Sequence, residues 1–252
     1  MPFNDLEAAE KVFAAHKDKI AAVIVEPVAA NMGVVPPDAG FLPGLQQIAH
    51  KNGALLIVDE VITGFRLCNG SAQALLGIEG DLTTLGKIIG GGVPVAAYGG
   101  RAELMNHVAP LGPVYQAGTL AGNPLAMRAG IAALKQLTRP GLYEQMTELA
   151  QRLVSGLRTE FASGIPAQIN AMGSLATVFF TPRPVRNYAD AKRSDTKRYA
   201  QFFREMLARG IFLAPSQFEA AFLSAAHTSA DIDRTLAAAR EALQAMAAEP
   251  VA

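Results

Sequence analysis

In the stretch "TTLGKIIGGGVP" (83–94) a lysine, Lys87, follows a short apolar run and precedes three consecutive glycines, with no acidic residue close to it. A primary amine held in a partly desolvated pocket has a lowered pKa and becomes a nucleophile toward aldehydes, the chemistry of a Schiff base. The glycines let the backbone pass close to a flat ligand. A phosphate-gripping P-loop is disfavoured because Ile88 follows Lys87, and the glycine spacing does not fit a dinucleotide fingerprint. Asp59 in "ALLIVDEV" and Glu26 in "AAVIVEP" are placed similarly, each at the end of an apolar run. A carboxylate on a strand beside the lysine can pair with a protonated pyridine nitrogen, which keeps pyridoxal phosphate an electron sink.

Positioning these groups requires strands that end together. Strand-like runs at 21–27, 54–61, 82–87 and 93–100 alternate with helical patterns, so the fold class is α/β. Their near-continuous Val/Ile/Leu content predicts a parallel or mixed sheet with both faces covered. Glu26, Asp59 and Lys87 then converge at the carboxyl rim, where such sheets bind ligands. The helix "AGFLPGLQQIAHKNG" is closed by Gly53. From about residue 124 long helical patterns dominate. A strand "SLATVFF", a helix "AKRSDTKRYAQFFREMLARG", a short strand "IFLAP" and an Ala-rich helix after Asp231 make a smaller α+β lobe. The turns "TRPG" and "SGIPAQ" suggest a division into domains 1–150 and 151–252.

With 22 acidic and 22 basic residues, the chain lacks the basic excess of a nucleic-acid or membrane-surface binder, which leaves a small molecule as the expected partner. A single cysteine, Cys68, excludes an internal disulfide and fits a reducing cytoplasm. No uninterrupted apolar stretch is long enough to span a bilayer. The scattered histidines predict no metal site, and His50, near a helix end, reads as a surface group facing the helix dipole.

Five segments carry a resemblance: "VIVEPVAANMGVVPPDAGFLPGLQQIA", "GALLIVDEVITGFR", "GDLTTLGKIIGGGVPVAAYGGRAELM", "GPVYQAGTLAGNPLAM" and "LAPSQFEAAFLSAAHT". In this order they resemble the glutamate-1-semialdehyde 2,1-aminomutases of the class III aminotransferase group. The resemblance implies a fold type I pyridoxal-phosphate transferase in which Lys87 joins the cofactor covalently, Asp59 pairs with its pyridine nitrogen and Val61 packs on a ring face. Gly118 and Thr119 would bind the phosphate of a neighbouring subunit. Asn31 and Glu219 would line the substrate pocket, with Glu26 behind them. The implied reaction moves an amino group between adjacent carbons of glutamate 1-semialdehyde, giving 5-aminolevulinate for tetrapyrrole synthesis.

Members of that family carry a long portion ahead of the segment with which this sequence opens, including the phosphate cradle, the ring-stacking aromatic and a lid. The expectation is therefore a truncated large-domain sheet that binds pyridoxal phosphate weakly or not at all. Its two uncovered edges favour a homodimer or larger oligomer. Two other readings stay open. Ser194-x-x-Lys197 has the spacing of a serine activated by a lysine one helical turn on, as in a cofactor-independent esterase or β-lactamase. Alternatively the chain is a non-catalytic subunit that lends Thr119 and its loop to a partner.

Overall fold

The Asp5 carboxylate accepts the Ala8 N–H at 2.8 Å and starts helix α1 (Leu6–Ala15), which buries Ala9 and Phe13. This cap satisfies one of the four amide donors that a helix leaves unpaired at its start. Strand β1 (Ala22–Val25) follows. Helix α2 (Phe41–Lys51) buries Phe41, Leu42, Leu45 and Ala49 on one stripe and is followed by Gly53 at φ 70°, the left-handed residue expected after a helix end. Strand β2 (Leu55–Asp59), the short helix α3 (Gln73–Leu76), strand β3 (Leu82–Leu85), strand β4 (Ala97–Gly100), the short helix α4 (Ala102–Met105) and helix α5 (Pro124–Leu137) complete this part of the chain.

The sheet order is β1-β2-β3-β4, with β1, β2 and β3 parallel and β4 antiparallel to β3. The register pairs Val25 with Val58 and Asp59 with Thr84. Phe13, Ala49 and Ala54 form a cluster with Ile20, Val23 and Ile48 beneath it. The expectation that both sheet faces are covered is corrected here. Ile24 on β1 is 61% exposed, and three of the four residues of β4 are exposed.

The computed structural model describes residues 1–162 and 164–248. The chain divides into two units: Met1 with 5–27 and 39–140, and 2–4 with 28–38 and everything from Gly141 onward. In the later part of the chain the boundary between the two units falls at residue 140. Position 150 lies inside helix α6 (Leu142–Phe161), an uninterrupted element whose buried stripe runs from Leu142 through Leu149 and Leu157 to Phe161.

In the second unit, β5 (Gln168–Met172), β6 (Leu175–Phe179) and, after two helices, β7 (Ala221–Phe222) form an antiparallel sheet in the order β5-β6-β7. Helices α7 (Tyr188–Lys192), α8 (Thr196–Ala208) and α9 (Ser229–Ala248) accompany it. Phe161, Phe180 and Phe202 stack at 5.5–5.7 Å between ring centroids in the core. Tyr199 donates its hydroxyl to the Ala214 carbonyl at 2.7 Å, and burial, with the Glu219 charge, pushes its pKa up to about 12.

Three expectations for this unit change. The helix expected over "AKRSDTKRYAQFFREMLARG" is two, because Asp195 caps a new start by accepting the Arg198 N–H. No strand forms at "IFLAP"; the third strand is the Ala221–Phe222 pair, in register with Ala176 and Leu175. The turn at "SGIPAQ" begins at Ser163, outside the described residues, and its last residue, Gln168, opens β5.

At the amino ends of the first sheet's strands the buried carboxylate of Asp81 accepts from the Leu56 N–H at 2.7 Å, meets His50 Nε2 at 2.8 Å and pairs with Arg101 Nη1 at 2.7 Å. His50 is thus tied to a carboxylate and does more than face its helix dipole. Burial by itself would raise the Asp81 pKa, but the Leu56 N–H, His50 and Arg101 together outweigh it and hold the carboxyl below the ordinary range. Asp81→Ala leaves a buried N–H unpaired and is expected to cost about 1–3 kcal/mol in urea unfolding at neutral pH. A carboxyl depressed in the folded state stabilises above its unfolded pKa of about 4, so the gap should narrow as pH falls below that value. A gap independent of pH contradicts the ionised clamp.

Candidate active site

Parallel pairing brings three strand ends to one level. Glu26 follows Val25 directly, so it stands beside Asp59, which in turn pairs with Thr84. Lys87 begins a 3-10 turn, Lys87–Gly90, just past the end of β3. The three groups singled out by sequence therefore leave the carboxyl ends of adjacent strands.

Asp59 is held in place from two directions. Its Oδ1 accepts the Val61 N–H at 3.0 Å and the Thr84 hydroxyl at 3.1 Å. Its Oδ2 makes no hydrogen bond among the described residues and can accept a further donor. Val61 stands over Gly86, where an added Cβ would lie 3.2 Å from Val61 Cγ1.

Lys87 has φ 48°, a left-handed conformation uncommon for any residue but glycine. Such a residue costs about 1–3 kcal/mol and persists where its surroundings over-determine it, often at a functional position. The surroundings here are helix α5. An added Cβ at Gly130 would come 2.3 Å from the Ile89 carbonyl oxygen, and one at Gly91 would come 2.5 Å from the Ala129 carbonyl oxygen. This corrects the expectation for the glycines of "GKIIGGG". Gly91 admits a helix backbone rather than a flat ligand, and Gly86 leaves room for Val61.

The expectation of a desolvated lysine is corrected as well. Lys87 is exposed, and its ammonium has no hydrogen-bond or ion-pair partner among the described residues. Gly118 and Thr119 are exposed too, on the loop leading to the Asn123 cap of α5.

Asn31 and Glu219 belong to the second unit, and both are exposed. Their loops are joined by one hydroxyl: Thr177 Oγ1 accepts the Val34 N–H at 3.0 Å and donates to the Glu219 carbonyl at 3.0 Å. The Gly33 N–H donates to the Phe218 carbonyl at 2.7 Å. At Gly33, φ is 77° and a Cβ would lie 2.3 Å from Phe179 Cζ, so only glycine brings the Asn31 loop this close. Sequence reasoning missed Thr177, whose partners are 143 and 42 residues away.

The serine-lysine reading gains no support from the structure. Ser194 precedes the cap of α8, is 6% exposed, and its hydroxyl has no hydrogen-bond partner among the described residues, while Lys197 is exposed in the first turn of α8. A buried serine outside the helix is not presented to a lysine one turn along it. Among the described residues no three His, Cys, Asp or Glu side chains group as metal ligands, and no helix is long and apolar enough to cross a membrane.

A family model for class III aminotransferases matches residues 3–243. The chain belongs to that family. It is 59% identical over 248 residues to a glutamate-1-semialdehyde 2,1-aminomutase of Desulforamulus reducens, an alignment covering 98% of this chain and 57% of the relative. Among solved structures it resembles an omega-transaminase from Sphaerobacter thermophilus, with TM-score 0.89, 34% identity, and coverage of 97% of this chain and 56% of the other. It also resembles a glutamate-1-semialdehyde-aminomutase from Pseudomonas aeruginosa in complex with PMP, with TM-score 0.85, 28% identity and coverage of 97% and 56%. The chain thus spans a little over half the length of the proteins it matches.

The fit of a pyridoxal-type cofactor follows from the donor set. A carboxylate oxygen at Asp59 and a primary amine at Lys87, both without a partner among the described residues, and an apolar cover at Val61 suit a ring nitrogen, an aldehyde and a ring face. Gly130→Ala tests the brace behind Lys87. Alanine gains at most about 1 kcal/mol of helix propensity, whereas a methyl against a rigid carbonyl costs about 1–3 kcal/mol. A net loss of stability in urea is expected; an equal or higher midpoint contradicts the close crossing.

Proposed function

We propose that this chain carries the lysine and carboxylate half of a pyridoxal-phosphate site and serves the aminomutase reaction, moving an amino group between adjacent carbons of glutamate 1-semialdehyde to give 5-aminolevulinate for tetrapyrrole synthesis. The single observation that carries the reading is the parallel register, which ends β2 at Asp59 and sends β3 into Lys87. Pyridoxal phosphate, when bound, supplies an electron sink for a carbanion beside the amino group. Asp59 Oδ2 is the acceptor that would keep a proton on the ring nitrogen, and Val61 excludes water from one ring face. The Lys87 amine is the group that attaches the cofactor and carries protons. We assign substrate contact to Asn31 and Glu219, with Glu26 supporting the strand ends. The first unit is then the cofactor-binding domain and the second its companion domain.

The exposed Lys87 amine needs desolvating groups beyond the described residues. A surface for a partner subunit lies around Thr119: Tyr115 is 84%, Leu120 62% and Leu125 71% exposed. Apolar side chains gathered in this way mark association surfaces. We therefore read the active form as a homodimer or larger oligomer in which Gly118 and Thr119 serve the partner's phosphate. The single cysteine supports a cytoplasmic location.

The test is a titration with pyridoxal phosphate followed by borohydride reduction and peptide mass mapping. Wild-type chain is expected to develop near-visible absorbance and one reduced adduct at Lys87, both lost in Lys87→Ala. Adducts spread over surface lysines, or none at saturating cofactor, overturn the reading.

A further inference from the structure

Next to Asp59 stands a second carboxylate that the proposed chemistry does not use. Glu60 is 0% exposed. One of its oxygens, Oε2, accepts from the Thr63 hydroxyl at 2.8 Å and the Ala72 N–H at 3.0 Å. The other, Oε1, accepts from the Ser71 hydroxyl, the Gln73 N–H at 3.2 Å and Gln73 Nε2 at 3.3 Å. These donors come from both ends of the loop between β2 and α3. Burying a carboxylate is costly unless hydrogen bonds compensate, and five donors converging on one group meet that condition.

The main chain at Glu60 continues the same network. Its N–H donates to the Thr84 carbonyl at 2.9 Å, and its carbonyl accepts the Gly64 N–H at 2.9 Å. Asp59 depends on the peptide that follows, because one of its two bonds comes from the Val61 N–H. Whatever fixes residues 60 and 61 therefore fixes the direction of the Asp59 carboxylate.

We propose that Glu60 is a positioning residue for Asp59: by gathering both ends of the 61–73 loop onto its buried carboxylate it holds the Val61 N–H against Asp59 Oδ1 and leaves Oδ2 turned outward to accept a ring N–H. This rests on the reading of Asp59 as the partner of a pyridine nitrogen. Its geometric half, the order of the Val61 bond, stands independently of any cofactor.

The experiment compares wild type with Glu60→Gln, which keeps the volume but turns an NH2 group toward donors, and with Ser71→Ala, a milder change at the loop's far end. Leu56→Ala serves as a control that weakens the core without touching the loop. The cofactor-free readout is amide hydrogen exchange. The Val61 and Gly64 amides should exchange at least ten-fold faster in Glu60→Gln and measurably faster in Ser71→Ala, with the Leu56 amide unchanged in both. Val61 protection equal to wild type in the two variants overturns the proposal, as does loosening of the same pattern in Leu56→Ala. If Glu60→Gln does not fold, Ser71→Ala alone decides. The second readout is the pH midpoint of the absorbance band of chain-bound pyridoxal phosphate, expected to move in Glu60→Gln and to stay in Leu56→Ala; an unmoved midpoint with a loosened Val61 shows that Glu60 orders the loop without setting Asp59, which also overturns it. A wild type that never develops the band defeats the cofactor reading, and the exchange data still judge the loop.

Discussion

The pairing of β2 with β3 in parallel is the constraint on which the rest of the candidate site depends. Because the two strands run the same way, their ends fall together, and a shift of one residue would turn Asp59 to the other face of the sheet. The Thr84 hydroxyl records the register in a side-chain bond, binding Asp59 across the strands at 3.1 Å. Everything nearby preserves this arrangement. Asp81 ties the opposite ends of the strands to α2 through His50, Glu60 gathers the loop after β2, and α5 backs the turn of Lys87 through Gly130. The sheet is anchored at one end by a charge cluster and left open to chemistry at the other.

The strain at Lys87 fits this picture. A left-handed lysine is disfavoured as an isolated choice, yet the close approach of Gly91 and Gly130 to facing carbonyls leaves the turn little alternative. The helix crossing thus supplies the packing that holds the amine in an uncommon conformation. In the second unit Thr177 plays a comparable part with a single hydroxyl, joining the loops of Asn31 and Glu219.

Much of the site was legible in the sequence. Apolar runs ending in Glu26, Asp59 and near Lys87 exposed both the parallel strands and their rim, because strand composition and a terminal charge are local signals. What stayed hidden was non-local. Glu60 and Asp81 look like ordinary surface carboxylates in a sequence, and only folding reveals the donors around each. The polar composition of "QINAM" concealed β5, whose inward residue Ile169 is buried while its neighbours stay half-buried. The Ser194-x-x-Lys197 spacing suggested one helix, but Asp195 could also cap a new one, and it does. The exposure of Lys87 could not be read from its apolar sequence neighbours, since desolvation depends on surfaces brought from elsewhere.

The central claim is that Asp59 and Lys87 grip opposite parts of one pyridine ring. The most direct measurement is the nitrogen-15 chemical shift of ring-labelled pyridoxal phosphate attached to the chain, with and without Asp59→Ala. The account predicts a protonated ring nitrogen at neutral pH in the wild type that loses its proton in the variant. An identical shift in both would contradict it.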